Sequence, residues 1–363
     1  MSLEVALVER EELPKLYRFR HSVFFDELGA SLSQDQIDRA YMTDALDEGA
    51  FNYALFDGAE IVGSLRFADL HRTAAREELT RKYSLGPILE RFGAPGIAII
   101  GRLALAPRVR SGVALTRLIT RGLEDARTRG IKVGVSDCSP YLLPFEERLG
   151  YRRYAAPFDD PVYGLKLPIL LLGEGTAYLS AIRSPIARVA ARFDRDNTVE
   201  DWFRTTYPEF AAVVGPPRSE SLWRAKVAEI LSGAHVEKCS LLAGLNPDEV
   251  ELLLDGAVQL SVEAGHYLIR KGMKEDHFYL MLEGVADAVD ATGRLLGQFG
   301  AGEVVGEMAF LTSSARSSDV RVSESARCLL ISPRAFCHAK RPQLYGKVMG
   351  NIARALALRL KAA

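Results

Sequence analysis

Two short stretches of this chain carry residue types that can do chemistry together. The first is Gly306-Glu307-Met308-Ala309-Phe310-Leu311-Thr312-Ser313-Ser314-Ala315-Arg316-Ser317-Ser318, which holds a carboxylate and a guanidinium nine residues apart around a small apolar run. A glycine and consecutive backbone N–H groups in a tight turn make a nest for an anion. One arginine completes such a site, because its planar fork matches phosphate oxygens. Glu307 repels phosphate, but it can accept a hydrogen bond from a sugar hydroxyl. Carboxylate to ribose and guanidinium to phosphate is a grip on a nucleotide. In a small β-barrel the stretch is expected to cross the wall as strand, turn, strand. Met308, Ala309, Phe310 and Leu311 then supply wall.

The second stretch is Pro107-Arg108-Val109-Arg110-Ser111-Gly112-Val113-Ala114. A strand ends at Pro107 and a helix starts near Gly112. Backbone N–H groups at a helix N-terminus bind anions. Gly112 and Ala114 are small enough for a pyrophosphate to approach the backbone, and Arg108 and Arg110 add charge. Upstream lies an Asp-x-x-Asp pair, Asp44 and Asp47. Paired carboxylates raise one pKa toward the range of a general base. Asp44, Asp47, Asp137 and Glu146 are therefore the candidates to take a proton from an attacking amine, with the Asp44/Asp47 pair favoured.

Elements able to position these groups can be read along the chain. "REELPKLYRFRHSVFFDEL" reads as a helix with Leu13, Leu16, Tyr17 and Phe24 near one face. Two β-rich runs flank Asp57-Gly58, a strong hairpin signal. "GIAIIGRLALAP" is a strand, "SGVALTRLITRGLEDARTRG" an amphipathic helix stopped by Gly130, and "IKVGVSDC" a strand. "PYLLPFEERLGY" is a short helix and "GLKLPILLLG" a last strand. Residues 173–237 read as a helical connector, with Trp202 and Trp223 as packing anchors. From Ser240 a helix opening on Asn-Pro-Asp-Glu precedes short strands separated by glycine turns, the pattern of a β-roll or jelly-roll barrel. A final helix follows.

Composition sets the outer limits. A length of 363 residues exceeds one usual domain, and 48% hydrophobic residues supply material for two cores. With 46 basic and 47 acidic side chains, the chain is not built as a nucleic-acid or membrane-surface binder. Cys138, Cys239, Cys328 and Cys337 show no C-x-x-C spacing and read as free, buried thiols of a reducing cytoplasm. The start has no signal-peptide pattern, and the longest apolar run is too short to span a bilayer. A cytoplasmic location is expected.

The cassette at 306–318 resembles the phosphate-binding cassette of cyclic nucleotide-binding domains. The likeness extends over about residues 238–360, with Gly265, Gly272 and Gly284 at the turns of the family's hairpin. It implies that Glu307 holds the ribose 2′-hydroxyl and Arg316 the cyclic phosphate. Gly306, Met308, Ala309, Ser317 and Ser318 complete the site, and the last helix forms a lid over the base. Ser317 favours cyclic AMP over cyclic GMP. The chain ends about one helix after the barrel, so no DNA-reading helix-turn-helix is expected.

The turn at 107–114 resembles motif A of GNAT-type N-acyltransferases, which binds the pyrophosphate of coenzyme A or a carrier protein's phosphopantetheine. Arg108, Arg110, Ser111, Gly112, Val113 and Ala114 take the donor-binding positions, with Val109 at the first motif position. "PYLLPFEERLGYRRY" is similar to that family's helix-strand, Glu146 standing where a tyrosine often acts as general acid. "RHSVFFDELG", "DALD", "GSLRF" and "GRLAL" follow the order of acyl-homoserine-lactone and N-acyl amino acid synthases. The likeness, over about residues 1–172, implies that Arg20, Phe24, Asp44, Asp47, Arg66 and Arg102 surround an amine substrate. Met42 and Ile99 replace two glutamates of the lactone synthases, which leaves the wider N-acyl amino acid class.

The expected fold class is a two-domain α+β chain: a mixed α/β acyltransferase domain over 1–172, a helical connector over 173–237, and a β-roll with flanking helices over 238–363. The expected activity is transfer of an acyl group from acyl-CoA or acyl-carrier protein to an amine, regulated by cyclic AMP. The alternative is a sensor whose first domain is an interaction module. Partners expected are small molecules and an acyl-carrier protein, with a homodimer allowed; no metal is expected.

Overall fold

The structure, a computed structural model, describes residues 3–30, 32–161, 163–193, 198–211, 239–333, 336 and 341–362. The chain forms two compact units that are interleaved in sequence. The first holds Met1–Cys138, Phe145–Phe158 and Leu167–Pro216; the second holds Ser139–Pro144, Asp159–Lys166 and Pro217–Ala363. Two short segments that the sequence assigns to the first domain thus belong to the second.

Strands β1 (Leu3–Leu7), β2 (Phe51–Asp57), β3 (Glu60–Asp69), β4 (Ile97–Leu105), β5 (Val133–Cys138), β6 (Arg152–Arg153), β7 (Phe158–Asp160) and β8 (Gly164–Leu172) form one sheet. Its order is β1-β2-β3-β4-β5-β8-β6, with β7 on β8. The Asp57-Gly58 hairpin joins β2 to β3, with Gly58 at φ +63°. β4 and β5 run parallel, which requires a crossover, and helix Gly112–Thr128 supplies it. That helix buries Ala114, Leu118, Ile119, Leu123 and Ala126 along one stripe, as its apolar periodicity dictates. The five-residue β1 and the helices Arg76–Lys82 and Gly86–Phe92 were not foreseen from the sequence.

The described part of the expected connector is not a connector. Helix Thr198–Thr206 places Val199 and Phe203, with Tyr207, in one core with Ile97, Ile99, Val133, Leu170 and Tyr154. Arg152 and Glu200, both buried, tie it down through hydrogen bonds of 2.8 and 2.5 Å. Trp202 packs edge-on against Phe92 and Tyr207, the anchoring role read from its type. Trp223 and the rest of the connector lie outside the described residues.

In the second unit, β9 (Val258–Val262), β10 (Tyr267–Ile269), β11 (Phe278–Val289), β12 (Leu295–Phe299), β13 (Val304–Val305) and β14 (Asp319–Ile331) form the roll. The order is β10-β14-β11-β12, with β13 on β11 and β9 on β14. Gly265 and Gly272 take positive φ in the loops on either side of β10, whereas Gly284, expected at a turn, takes it inside β11 at an irregularity in its ladder with β14. Helix Pro247–Leu254 opens on a capping box between Asn246 and Glu249. Helix Pro342–Ala362 buries Leu344, Val348 and Ile352, spaced by one turn, in a core with Leu241, Phe278 and Phe336. Asn351 fixes it by donating to the carbonyls of Leu241 and Ala243, each at 2.8 Å. Cys138, Cys239 and Cys328 are buried and in no disulfide, and burial pushes the Cys328 thiol up to about 12. Cys337 lies outside the described residues. No described helix is long and apolar enough to cross a membrane.

Because Phe203 belongs to the first core, Phe203→Ala should cost about 3–5 kcal/mol of stability. Denaturant unfolding measures it; a loss below about 1 kcal/mol would return the segment to the role of a linker.

Candidate functional site

In the first unit, Arg20, Phe24, Asp44, Asp47, Arg66 and Arg102 converge. The hairpin and helix Leu13–His21 bring them together. Arg20 is fully buried and donates to Ser64 Oγ at 2.8 Å, Asp47 Oδ1 at 2.7 Å and Asn52 Oδ1 at 2.6 Å. Arg66 Nη1 donates to Asp44 Oδ1 at 2.6 Å and lies 3.1 Å from Asp47 Oδ2. Arg102 pairs with the other oxygen of Asp44, and its guanidinium sits 6.0 Å from the Phe24 ring. Asp44 and Asp47 also cap a single turn, Ala45–Asp47.

Two expectations are corrected by this geometry. Arg20, expected at the substrate, is walled in and has all its nitrogens engaged, so it holds the cluster together. The expected rise in one carboxyl pKa does not occur. Burial alone would raise both, but Arg66 and Arg102 hold Asp44 well below the carboxylate range. Burial likewise acts upward on Asp47, and Arg20 and Arg66 outweigh it. The nearest charges are guanidinium groups, so both carboxylates are counter-ions and poor proton acceptors. Glu146 lies on a separate element, helix Leu143–Leu149, half-buried. Asp137, near the end of β5, accepts from Tyr83 Oη at 2.6 Å.

Arg102 also marks a β-bulge. Ser64 faces Ala104 and Arg66 faces Gly101, so β4 has one residue more than β3 across that interval. Arg102 takes φ +56° there. A bulge of this kind re-aims backbone groups and side chains. The parallel ladder of β4 and β5 ends at Ile99–Val135, although the strands run on to Leu105 and Cys138. Just past β4, the N-terminus of helix Gly112–Thr128 is open. A Cβ on Gly112 would meet nothing within 4 Å, and Val113 is 63% exposed. Ser111 caps the helix by accepting from the amide of Ala114, which is itself buried. The flanking charge is already matched: Arg108 pairs with Glu60, and Arg110 with Glu27 and the Leu105 carbonyl.

The second unit gathers the 306–318 residues. Gly306, at φ +87°, ends β13 and starts helix Glu307–Thr312. The apolar run is thus a helix turn and not a wall strand. The left-handed turn reverses the chain, and Ala309 goes inward while Met308 is 55% exposed. The first-turn amides of Met308 and Ala309 have no carbonyl to bond within their helix. A Cβ at position 306 would lie 2.7 Å from Ile269 Cδ1 and 2.9 Å from Arg316 Nη1, so only glycine fits. Arg316 is buried and donates to the carbonyls of Gly306 at 2.7 Å and His277 at 2.6 Å. Glu275 lies 3.7 Å from its Nη2. Ser317 is exposed and Ser318 half-buried. Glu307, also buried, accepts from Arg359 of helix Pro342–Ala362 at 2.7 Å. The last helix therefore reaches the cassette, at its carboxylate.

Three residues at this site escaped the sequence reading: Arg359, Glu275 and His277. They lie 52, 41 and 39 residues from the groups they touch, and no local spacing links them.

Residues 259–339 match the family described as "Cyclic nucleotide-binding domain". The chain is 34% identical over 96 residues to "cGMP-dependent protein kinase, isozyme 1" of Drosophila melanogaster, covering 26% of this chain and 12% of that protein. It is 29% identical over 137 residues to "Glutaminase 2" of Bradyrhizobium diazoefficiens, covering 37% of this chain and 22% of that protein. The chain thus spans less than a quarter of the length of these relatives. A solved cyclic nucleotide-binding domain from Methylobacillus flagellatus is 23% identical, covers 38% of this chain and 80% of that one, and superposes with a TM-score of 0.34.

The Asp44 cluster makes a prediction about pH. A carboxyl held down in the folded state contributes stability that is full above its unfolded value, about 3.9, and is lost as pH falls through the folded value. The melting-temperature gap between the protein and Asp44→Asn should therefore stay constant from about pH 7 to pH 5 and narrow below about pH 4. A gap already closing near pH 6 would mean a raised carboxyl.

Proposed function

We propose that this chain, whose residues 259–339 form a cyclic nucleotide-binding domain, is a cyclic-nucleotide-regulated N-acyltransferase. It moves an acyl group from the thioester of coenzyme A or an acyl-carrier protein to an amine, with an amino acid as the acceptor class. The observation that carries the regulatory half is the contact of Arg316 with Gly306, next to the buried Glu307, within the matched residues; it supports a grip on phosphate and ribose. The transfer half is supported by the bulge at Arg102 beside the parting strands and the open turn at Gly112.

In this reading the donor's anionic groups rest on the amides opening helix Gly112–Thr128. A strand amide at the Arg102 bulge polarises the thioester carbonyl. Phe24, Arg66 and Arg102 line the acceptor side. The amine nitrogen attacks the carbonyl carbon, the C–S bond breaks, and the sulfur leaves as a thiolate that takes up the proton given by the amine. The amine proton passes, directly or through water, to Asp137 or Glu146, since Asp44 and Asp47 are held as counter-ions. Nucleotide can change the rate only if it favours one of two states, and the usual coupling is about 1–3 kcal/mol. The matched charges of Arg108 and Arg110 favour a second reading, a sensor whose first unit is an interaction module.

Calorimetry on the full chain, run with cyclic AMP and cyclic GMP, should show saturable binding with cyclic AMP preferred. Arg316→Ala should weaken it by about 2–4 kcal/mol, through loss of a charge-assisted buried contact. Equal affinity in both proteins would remove Arg316 from the site.

Gly112→Val should block coenzyme A binding and thioester consumption yet leave nucleotide binding intact, because the added side chain enters open space. Unchanged thioester consumption would exclude the turn as the donor cradle. No thioester consumption by either protein would leave the sensor reading.

A further inference from the structure

The second unit contains two segments, Ser139–Pro144 and Asp159–Lys166, that are remote in sequence from the rest of it. Both bear on the residues beneath Arg316. The Tyr141 ring stacks on the buried His277 ring, with centroids 5.1 Å apart and planes at 24°. Burial raises the partly buried Glu275 carboxyl, and the charges of Arg316 and Lys166 oppose that rise; Lys166 Nζ donates to Ser139 Oγ at 3.3 Å. Asp159 holds the start of β10, accepting from the Tyr267 amide and lying against His266 Nδ1, each at 3.1 Å. Gly164, at φ +72°, passes so close to Arg270 that a Cβ would lie 2.8 Å from its Cγ.

The arginine's own geometry supplies the link. A phosphate can take a guanidinium by two prongs in either of two ways, along the Nε–Nη2 edge or across Nη1 and Nη2. Both use Nη2. That nitrogen has two hydrogens, and it already faces the His277 carbonyl at 2.6 Å and Glu275 at 3.7 Å. Only one of its hydrogens is taken, by the His277 carbonyl, and Nε has no partner among the described residues, so a phosphate fits along the Nε–Nη2 edge and brings its charge against the Glu275 carboxylate across the same nitrogen. Two anions that share one guanidinium repel, so Glu275 cannot keep its place unchanged. His277 also shares a contact of 3.3 Å with Tyr279 Oη, which donates to Leu268. The residues affected are Glu275, whose charge Lys166 helps to balance, and its neighbour His277, on which Tyr141 stacks.

We propose that Ser139–Pro144 and Asp159–Lys166 are the readout of the nucleotide site: phosphate at Arg316 repels the Glu275 carboxylate beside it, and Tyr141 and Lys166 transmit the change. The role of phosphate as trigger rests on the nucleotide-binding reading above. Covalent continuity carries the signal further. Ser139–Pro144 connects β5, with Asp137, to helix Leu143–Leu149, with Glu146, and Asp159–Lys166 runs into β8. These are the two carboxylates left as candidate bases.

Hydrogen exchange by mass spectrometry on the full chain tests the relay. Saturating cyclic AMP should protect 306–318 and shift exchange several-fold in peptides covering 139–144 and 159–166. In Tyr141→Ala/Lys166→Met the protection of 306–318 should persist while the shift in the two segments is lost, and Tyr141→Phe, which keeps the stacking, should retain it. Protection of 306–318 with no change in the two segments overturns the relay and leaves nucleotide binding standing. If 306–318 is not protected, the nucleotide reading falls, and a ligand-free arm judges the mechanical link by itself. Arg316→Gln, which withdraws the charge from Glu275, should alter exchange in both segments without any nucleotide. A change confined to 270–318 in that variant overturns the link.

Discussion

A guanidinium taken out of water must be met by carboxylates and carbonyls, and that constraint organises both units of this protein. Arg20, Arg66, Arg152 and Arg316 are all buried. Each is held by groups from distant segments: Asp47 and Asn52, Asp44, Glu200, and the carbonyls of Gly306 and His277. Such pairs add little net stability over apolar packing, since desolvation offsets most of the attraction. Removing one partner is another matter, because it strands a buried charge. Their value lies in specifying which segments meet.

In the first unit this constraint decides the chemistry available. An Asp-x-x-Asp pair read alone suggests a shared proton and a raised pKa. Surrounded by three arginines, the same pair is ionised and fixed. In the proposed acyl transfer, the proton therefore goes to carboxylates outside the cluster, and the cluster frames the acceptor side. The bulge at Arg102 belongs to the same frame. One inserted residue turns the β4 backbone where its ladder with β5 has already stopped, and the arginine at that residue is anchored on Asp44.

In the second unit the same constraint makes the nucleotide cassette a balanced device. Arg316 and Glu307 are both engaged by protein groups, Arg316 by carbonyls and Glu275, Glu307 by Arg359 on the last helix. A ligand that takes Glu307 has to exchange it with Arg359, and one at Arg316 meets Glu275. In the proposed relay, that is how a small anion biases a helix at one side and two inserted segments at the other.

The residues by themselves determined the local features: the Asp57-Gly58 hairpin, the amphipathic helix after Pro107, the helix opening at Asn246, the glycines at the bends of the roll and the Gly306–Ser318 cassette. Turn chemistry, capping and side-chain periodicity act within a few positions, so they are legible in a single sequence. Tertiary structure alone decided the rest. The cassette's apolar run became a helix because Gly306 turns left-handed against Ile269 and Arg316. Residues 198–211 joined the first core because Val199, Phe203 and Tyr207 face Ile97 and Val133. Asp44 and Asp47 are held as counter-ions because the nearest charges in space are arginines, Arg66 and Arg102 lying 22 and 58 residues from Asp44 and Arg20 lying 27 from Asp47. Arg359, Glu275 and His277 entered the site, and two short segments entered the second unit, through contacts between parts of the chain that no local pattern relates. The sign of a pKa shift and the partner of a buried charge depend on distance through space, and only the folded chain sets that distance.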